Sequence, residues 1–307
     1  MSTRVVTVGE ITLDDVVVEG EGVDWCQPGG GALYSAIGAL VWDVAPAICA
    51  TIGEDFPEAW IARFGSCGID TSAVTRIPGP SLGLWLLYER AGRRHQVEKA
   101  SGSSFSQLDA ARRPWPGSLK EIAGVHVAPQ TAEGQRREID FWAGEGRIVT
   151  QDLLIESFID VDAYRRGEAL RGATVFMPSE QEVRQVWGDI DTSTLHALVE
   201  ERAGVSILVV KRGAAGVEIV TPTLTASVPT AVRDPVDPTG AGDAFGGGFL
   251  AGLVSTGDVV EAAVRGAVSA ALIVETRGAL GALDRLPFPE RWQRAASLRA
   301  QLTQETR

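Results

Sequence analysis

The strongest limit on the fold is a regular alternation of short apolar runs with helical patterns. The runs are Val5–Val8, Ala47–Thr51, Gly124–Val127, Ile148–Gln151, Thr174–Met177 and Ser206–Val210. Strands that are apolar on both faces must be covered on both, and in a parallel sheet the crossover helices do this. Helical stretches fall between them at Ala32–Val41, Phe56–Phe64, Arg136–Ala143, Glu180–Val186 and Thr194–Arg202. The alternation predicts an α/β fold with a mostly parallel sheet and helices on both faces. There is no internal repeat, low-complexity segment or long linker, so one domain over residues 1–307 is expected. With 45% hydrophobic and 22% charged residues, the chain can bury a sizeable core.

Two stretches leave the rhythm. Leu13–Val18 and Gly83–Glu98 read as strands outside the βα order, with Ala91-Gly92-Arg93 as a turn candidate in the second. Leu84, Leu86 and Tyr88 share one face there, and Trp85, Leu87 and Glu89 the other. Such an insertion is either a small β lid over a site at the strand ends or a surface hairpin without function. The C-terminal helical stretches Ala244–Val254 and Val259–Thr276 are rich in Ala and Gly, which lets helices pack closely.

Charge and composition exclude several classes. Lys plus Arg number 28 against 40 Asp plus Glu, a net −12 with pI near 4.8. Such a chain lacks the positive field that a phosphate backbone requires, so no nucleic-acid partner is expected. No apolar run approaches the roughly 18 residues of a membrane span, and the N-terminus lacks a secretory pattern. Cys26, Cys49 and Cys67 are few and odd in number, which argues against a disulfide framework and for a reducing, cytoplasmic setting. His95, His126 and His196 are scattered, so a histidine-based metal site is not expected.

The chemistry concentrates in Asp237-Pro238-Thr239-Gly240-Ala241-Gly242-Asp243-Ala244-Phe245. Pro238 and Gly240 mark a turn that feeds a helix, whose first N–H groups have no internal partner. Gly240 and Gly242 clear the approach, so the turn can serve as an anion site. Asp243 stands in its first turn. A carboxylate beside an anion pocket suits a transferring phosphoryl group and a hydroxyl to be deprotonated. A dinucleotide fingerprint fails because Phe245 occupies the place of its last glycine, and no P-loop pattern occurs. A glycine-rich helix cap with an ordinary first-turn aspartate remains open on these residues alone.

Asp237–Asp243 resembles the C-terminal signature of the ribokinase (PfkB) carbohydrate kinase family, with Pro238 in place of a Thr. Further resemblances follow in family order: Val8–Asp14, Pro28-Gly29-Gly30 with Ala36, Ile52–Phe56, Gly68-Ile69-Asp70, and Val210–Gly213 with Gly216. The resemblance implies a doubly wound α/β domain with a small β lid formed by insertions at about residues 11–27 and 80–100. It implies an ATP-dependent kinase that phosphorylates a hydroxyl of a sugar or sugar-like molecule. Asp243 would be the general base, and the N–H groups of Gly240, Ala241, Gly242 and Asp243 the anion hole. Asp14, Gly29 and Gly30 would hold substrate hydroxyls, with Tyr34 bordering them. Lys211 and Gly213 would lie on the nucleotide side. Glu182 would position Mg²⁺ through water, and Asp237 would stand near a monovalent cation such as K⁺. Homodimers formed through the lids also occur among such proteins.

The departures bear on the substrate. Thr12, Tyr34 and Ser179 stand where the family commonly has Asn, and Gly246 replaces a commonly larger residue. The bulk of Tyr34 argues against ribose held as in ribokinase. It leaves two further readings beside the sugar kinase: a nucleoside kinase of the same family, and a binding or regulatory protein that kept the fold without catalysis.

Overall fold

A computed structural model describes residues 4–89, 94–153 and 160–306. The predicted turn Ala91-Gly92-Arg93 lies outside the described residues. The strands are β1 (Arg4–Val8), β2 (Thr12–Val18), β3 (Gly22–Gly29), β4 (Ala45–Gly53), β5 (Asp70–Ile77), β6 (Gly83–Tyr88), β7 (Arg94–Glu98), β8 (Ile122–Val127), β9 (Ile148–Gln151), β10 (Val175–Phe176), β11 (Ile207–Lys211), β12 (Val217–Val220), β13 (Leu224–Val228) and β14 (Thr303–Thr306). The helices are α1 (Gly31–Leu40), α2 (Glu58–Ser66), α3 (Phe105–Ala111), α4 (Ala132–Gly144), α5 (Val161–Arg165), α6 (Glu180–Trp187), α7 (Thr192–Ala203), α8 (Ala241–Thr256), α9 (Val259–Val274), α10 (Gly278–Arg285) and α11 (Arg291–Arg299).

The large sheet has the order β14-β13-β12-β11-β10-β9-β8-β1-β4-β5. From β11 to β5 every pairing is parallel, and β12, β13 and β14 extend it antiparallel at one edge. Successive residues of β1 separate the two faces. Val5 joins Ile48 and Val209 in the core shared with α1, α8 and α9. Val6 and Val8 join Cys49 and Val125 against Ile139 and Trp142 of α4. The same opposite side continues under α5, α6 and α7, through Phe176 and Leu208 packed with Tyr164, Val183 and Leu195. The sheet is therefore doubly wound, as the resemblance implied.

A second, small sheet has the order β3-β2-β6-β7. It gathers both stretches that broke the βα rhythm, with β2 and β6 parallel at its centre. Leu84 and Leu86 turn inward and pack with Leu82, Phe105 and Leu108. Trp25, Val23 and Val97 are exposed, and Trp25 meets Trp85 edge-on at 5.7 Å.

Some expectations are corrected. The helix expected from Phe56 starts at Glu58, because Pro57 holds an extended conformation at its N-cap. The strand expected over Thr174–Met177 is only Val175–Phe176. Strands β3, β5, β12, β13 and β14 and helices α3, α5, α10 and α11 were not anticipated. No helix of the described residues is long and apolar enough to cross a membrane.

Candidate active site

The order of the large sheet runs from β1 one way through β4 and β5, and the other way through β8 to β11. A crevice therefore opens at the carboxyl ends of β1 and β8, where open α/β sheets bind ligands. Glu10 and Pro129 follow these two strands and border a cavity of about 100 Å³. A larger cavity of about 500 Å³ lies beyond the end of β11. The turn into α8 stands between them. Gly240 and Asp243 line the first cavity, whereas Ala241 and Gly242 line the second. One helix N-terminus thus faces two compartments, with the carboxylate in the smaller one.

The turn is held tightly. Gly240 is the N-cap of α8 with φ +74°, and a side chain there would overlap the Tyr34 ring. Asp237 Oδ1 accepts from the Thr239 N–H at 2.9 Å, and Oδ2 accepts from the Gly278 N–H at 3.0 Å. The carboxylate that was assigned to a monovalent cation therefore already ties this loop to α10. The Ala241 N–H donates to Pro238 O at 3.3 Å and is engaged within the turn. Thr239 Oγ1 and Tyr88 Oη are 2.6 Å apart, a link from the turn to the small sheet.

In the smaller cavity the structure brings together Asp14, Tyr34, Gly30 and Asp243, together with Glu10, Thr12 and Gln96. Asp14 is buried, and its carboxylate lies over Gly29, where a side chain would overlap it. Gly30, the N-cap of α1, has φ +98° and sits so close to the Glu10 carbonyl that any side chain would clash. Gly31 allows Asp243 to approach, since a methyl there would come 2.8 Å from Asp243 Oδ1. Burial holds the Tyr34 hydroxyl well above its ordinary pKa, and Asp237 and Asp14 push it further the same way.

Sequence reasoning missed Glu10. Its Oε1 accepts from Arg112 Nη2 at 2.7 Å, and the fully buried Arg112 also meets Asp109 Oδ1 at 2.9 Å and bonds Gln130. Burial pushes the Glu10 carboxyl up to about 8, against the pull of Arg112. An isolated Glu after a strand carries no signal that an Arg from beyond α3 will meet it.

On the other side of the turn, Lys211 ends β11 and forms an ion pair with Asp152, which follows β9. Its Nζ would be 3.2 Å from a methyl at Gly242. Gly213 lines the same cavity. Burial works against the Lys211 charge, but Asp152 and Glu182 hold its pKa above the ordinary value. Glu182 stands at the third position of α6 in a capping box: Oε2 accepts from the Ser179 N–H at 2.6 Å, and the Glu182 N–H donates to Ser179 Oγ at 3.3 Å. Ser at position 179, a departure from the family's Asn, thus caps the helix and fixes the Glu182 carboxylate. Burial pushes that carboxyl up to about 7.

No group of three or more His, Cys, Asp or Glu among the described residues could alone hold a metal. The Glu182 carboxylate, beside Lys211 and Asp152, does fit Mg²⁺, which uses one or two carboxylates plus phosphate oxygens and waters.

Residues 149–285 match the pfkB family of carbohydrate kinases. The match takes in Lys211 and the turn into α8, and it marks the chain as a kinase, a phosphotransferase that acts on a hydroxyl group. The kinase is 28% identical to the cytidine kinase of Thermococcus kodakarensis over 85% of its own length and 91% of that relative. Its fold matches the Burkholderia thailandensis nucleoside kinase solved with inosine, at TM-score 0.76 and 17% identity, over 97% of this chain and 96% of that one. It also matches a protein described as ribokinase II from E. coli, solved with ATP and Mg²⁺, at TM-score 0.72 and 21% identity, over 95% and 99% of the two chains.

Proposed function

We propose that the kinase transfers the γ-phosphate of ATP to a hydroxyl of a sugar-bearing small molecule, with Asp243 as general base. The observation that carries this reading is the turn into α8, which sets one helix N-terminus between two cavities and presents a carboxylate to only one of them. The acceptor binds in the smaller cavity, where Asp14 takes its hydroxyls and Gly29 and Gly30 leave it room. The small sheet closes over it through Leu84 and Leu86 and limits wasteful hydrolysis by keeping water out. ATP binds in the larger cavity, with Lys211 and Gly213 on its path. Gly240, Gly242 and Asp243 turn their N–H groups to the transferring phosphoryl group. Glu182 holds Mg²⁺ through water, and the ion, when bound, screens the phosphate charge. K⁺ acts near Asp237 only if it finds backbone oxygens there, because both carboxylate oxygens already accept N–H bonds.

Asp243→Asn tests this reading. Its turnover of MgATP with a panel of sugars, polyols and nucleosides is expected to fall about a thousandfold or more, with ADP binding kept. Near-normal turnover would sink the assignment, as would a flat panel with the unaltered chain, which would revive a binding role. Assays with and without K⁺ settle the cation.

A nucleoside acceptor is favoured over a free sugar by one feature. Leu84, Leu86, Phe105 and Pro129 give the smaller cavity apolar walls opposite Asp14, which suit a flat base beside a ribose. The similarity to a cytidine kinase supports the same choice. Competition by nucleosides but not by free sugars is the expected result. The exposed Trp25, Val23 and Val97 face is the surface we assign to a homodimer, and sedimentation of Trp25→Glu against the unaltered chain checks it.

A further inference from the structure

Resting on the kinase reading above, we propose that Lys211 is a catalytic residue that contacts the transferred phosphoryl group, and that Asp152 is the positioning residue that aims it there.

The placement is built from the backbone outward. Lys211 is the last residue of β11, and its N–H donates to Pro178 O at 2.9 Å, which fixes where the side chain leaves the sheet. The side chain is largely buried, and its ammonium lies against Gly242 in the first turn of α8. Asp152 is equally constrained. Its N–H donates to Val127 O at 3.1 Å, its Oδ1 accepts from the Leu153 N–H at 2.7 Å, and its Oδ2 holds Lys211. One oxygen thus locks the carboxylate to its own loop, and the other directs the lysine.

A purely structural ion pair needs no cavity. Lys211 of this pair borders the larger cavity together with Ala241 and Gly242 of the turn. Among the described residues lining that cavity, the charged groups are Lys211 and the exposed Arg233, whose N–H donates to Glu275 Oε1 at 2.7 Å. The chemistry calls for a cation at that point. The acceptor oxygen forms a bond to the γ-phosphorus while the bond from that phosphorus to the β–γ bridging oxygen breaks. The hydroxyl proton passes to Asp243, and the bridging oxygen leaves with the electron pair as part of ADP. Negative charge therefore moves onto oxygens that adjoin the α8 amides. An ammonium in a buried site stabilises it more strongly than one in water would.

The test compares binding of ADP and of the non-hydrolysable ATP analogue AMP-PNP, each with Mg²⁺, by calorimetry. The full chain is compared with Lys211→Met, Lys211→Arg, Asp152→Asn and the double variant Lys211→Met with Asp152→Asn. The double variant removes both charges, so no buried charge is left alone to unfold the chain. In both Lys211→Met chains, AMP-PNP affinity is expected to fall about tenfold or more with ADP affinity nearly unchanged, the loss of one charge-assisted contact to the γ-phosphate. Their kcat is expected to fall about a hundredfold at an unaltered acceptor KM, with Lys211→Arg recovering part of it. Asp152→Asn should move the same two readouts in the same direction by less. Equal loss of ADP and AMP-PNP would overturn the proposal, and so would an unchanged kcat in the double variant. If the unaltered chain turns over no acceptor, the kinase reading fails, while the ratio of the two nucleotide affinities still decides the contact of Lys211.

Discussion

At the scale of single residues, Glu10 is a group whose environment departs far from expectation. Two carboxylates, Glu10 and Asp109, face one buried guanidinium, and burial outweighs the attraction of Arg112. The Glu10 carboxyl therefore titrates at about 8 in the folded chain against 4.5 ordinarily. Between these values the folded chain holds a proton that the unfolded chain has lost. The stability contributed by that group is full below the lower value and is lost as pH rises through the upper one. Glu10→Gln cannot titrate there. The difference in unfolding free energy between the unaltered chain and this variant should thus shrink steadily from pH 4.5 to about 8. Denaturant unfolding at a series of pH values measures it. A difference that does not change with pH would mean that Arg112 keeps Glu10 charged throughout. His126 shows the converse case. Burial lowers its pKa to about 3, so the ring is neutral, and it lies where a side chain on Gly246 would go. That explains why a small residue follows the signature here.

At the scale of elements, α8 carries both the candidate site and close backbone packing. Its glycines admit other backbone: a side chain at Gly247 would overlap the Ser35 carbonyl of α1, and one at Gly248 would meet Ser269 of α9. Gly247→Ala has no flexible neighbour to displace, so it should cost about 1–3 kcal/mol and shift α8 against α1. A denaturant midpoint equal to that of the unaltered chain would contradict this packing. The central parallel strands were legible in the sequence because burial on both faces leaves unbroken apolar runs. β5 was not, because an edge strand of Asp70-Thr71-Ser72 and Thr75-Arg76 carries no such run. β12 and β13 were missed because an antiparallel hairpin at the sheet margin interrupts its apolar residues with Glu218, Thr225 and Ser227. The site divides in the same way. Gly240–Asp243 and Asp14 lie in local patterns that single them out, and Gly240, Asp243 and Asp14 meet at one cavity. Asp152 and Glu10 are single acids after strands, and only the sheet order brings them to Lys211 and Arg112.

At the scale of the whole molecule, the question is how the small sheet is held against the large one. Polar side chains link them. Tyr88 Oη meets Thr239 Oγ1 inside the signature turn, and Arg277, at the N-cap of α10, pairs with Asp24 of β3 at 2.7 Å. The second is a half-exposed ion pair and contributes little, because water screens it. The first is largely sheltered, and it ties the small sheet to the turn into α8. On the proposed function, closure of the small sheet over the acceptor and alignment of the phosphate site are then one event. Tyr88→Phe keeps the ring and its packing but removes this bond, so the fold should lose only about 1 kcal/mol. Acceptor KM should rise severalfold, and ATP hydrolysis in the absence of acceptor should increase, because a loosened cover admits water to a competent phosphate site. Thr239→Val breaks the same bond from the other side and should reproduce both effects, with no further change when the two are combined. Additive effects in the double variant would show that the two side chains act independently, and that the small sheet closes without reference to the turn.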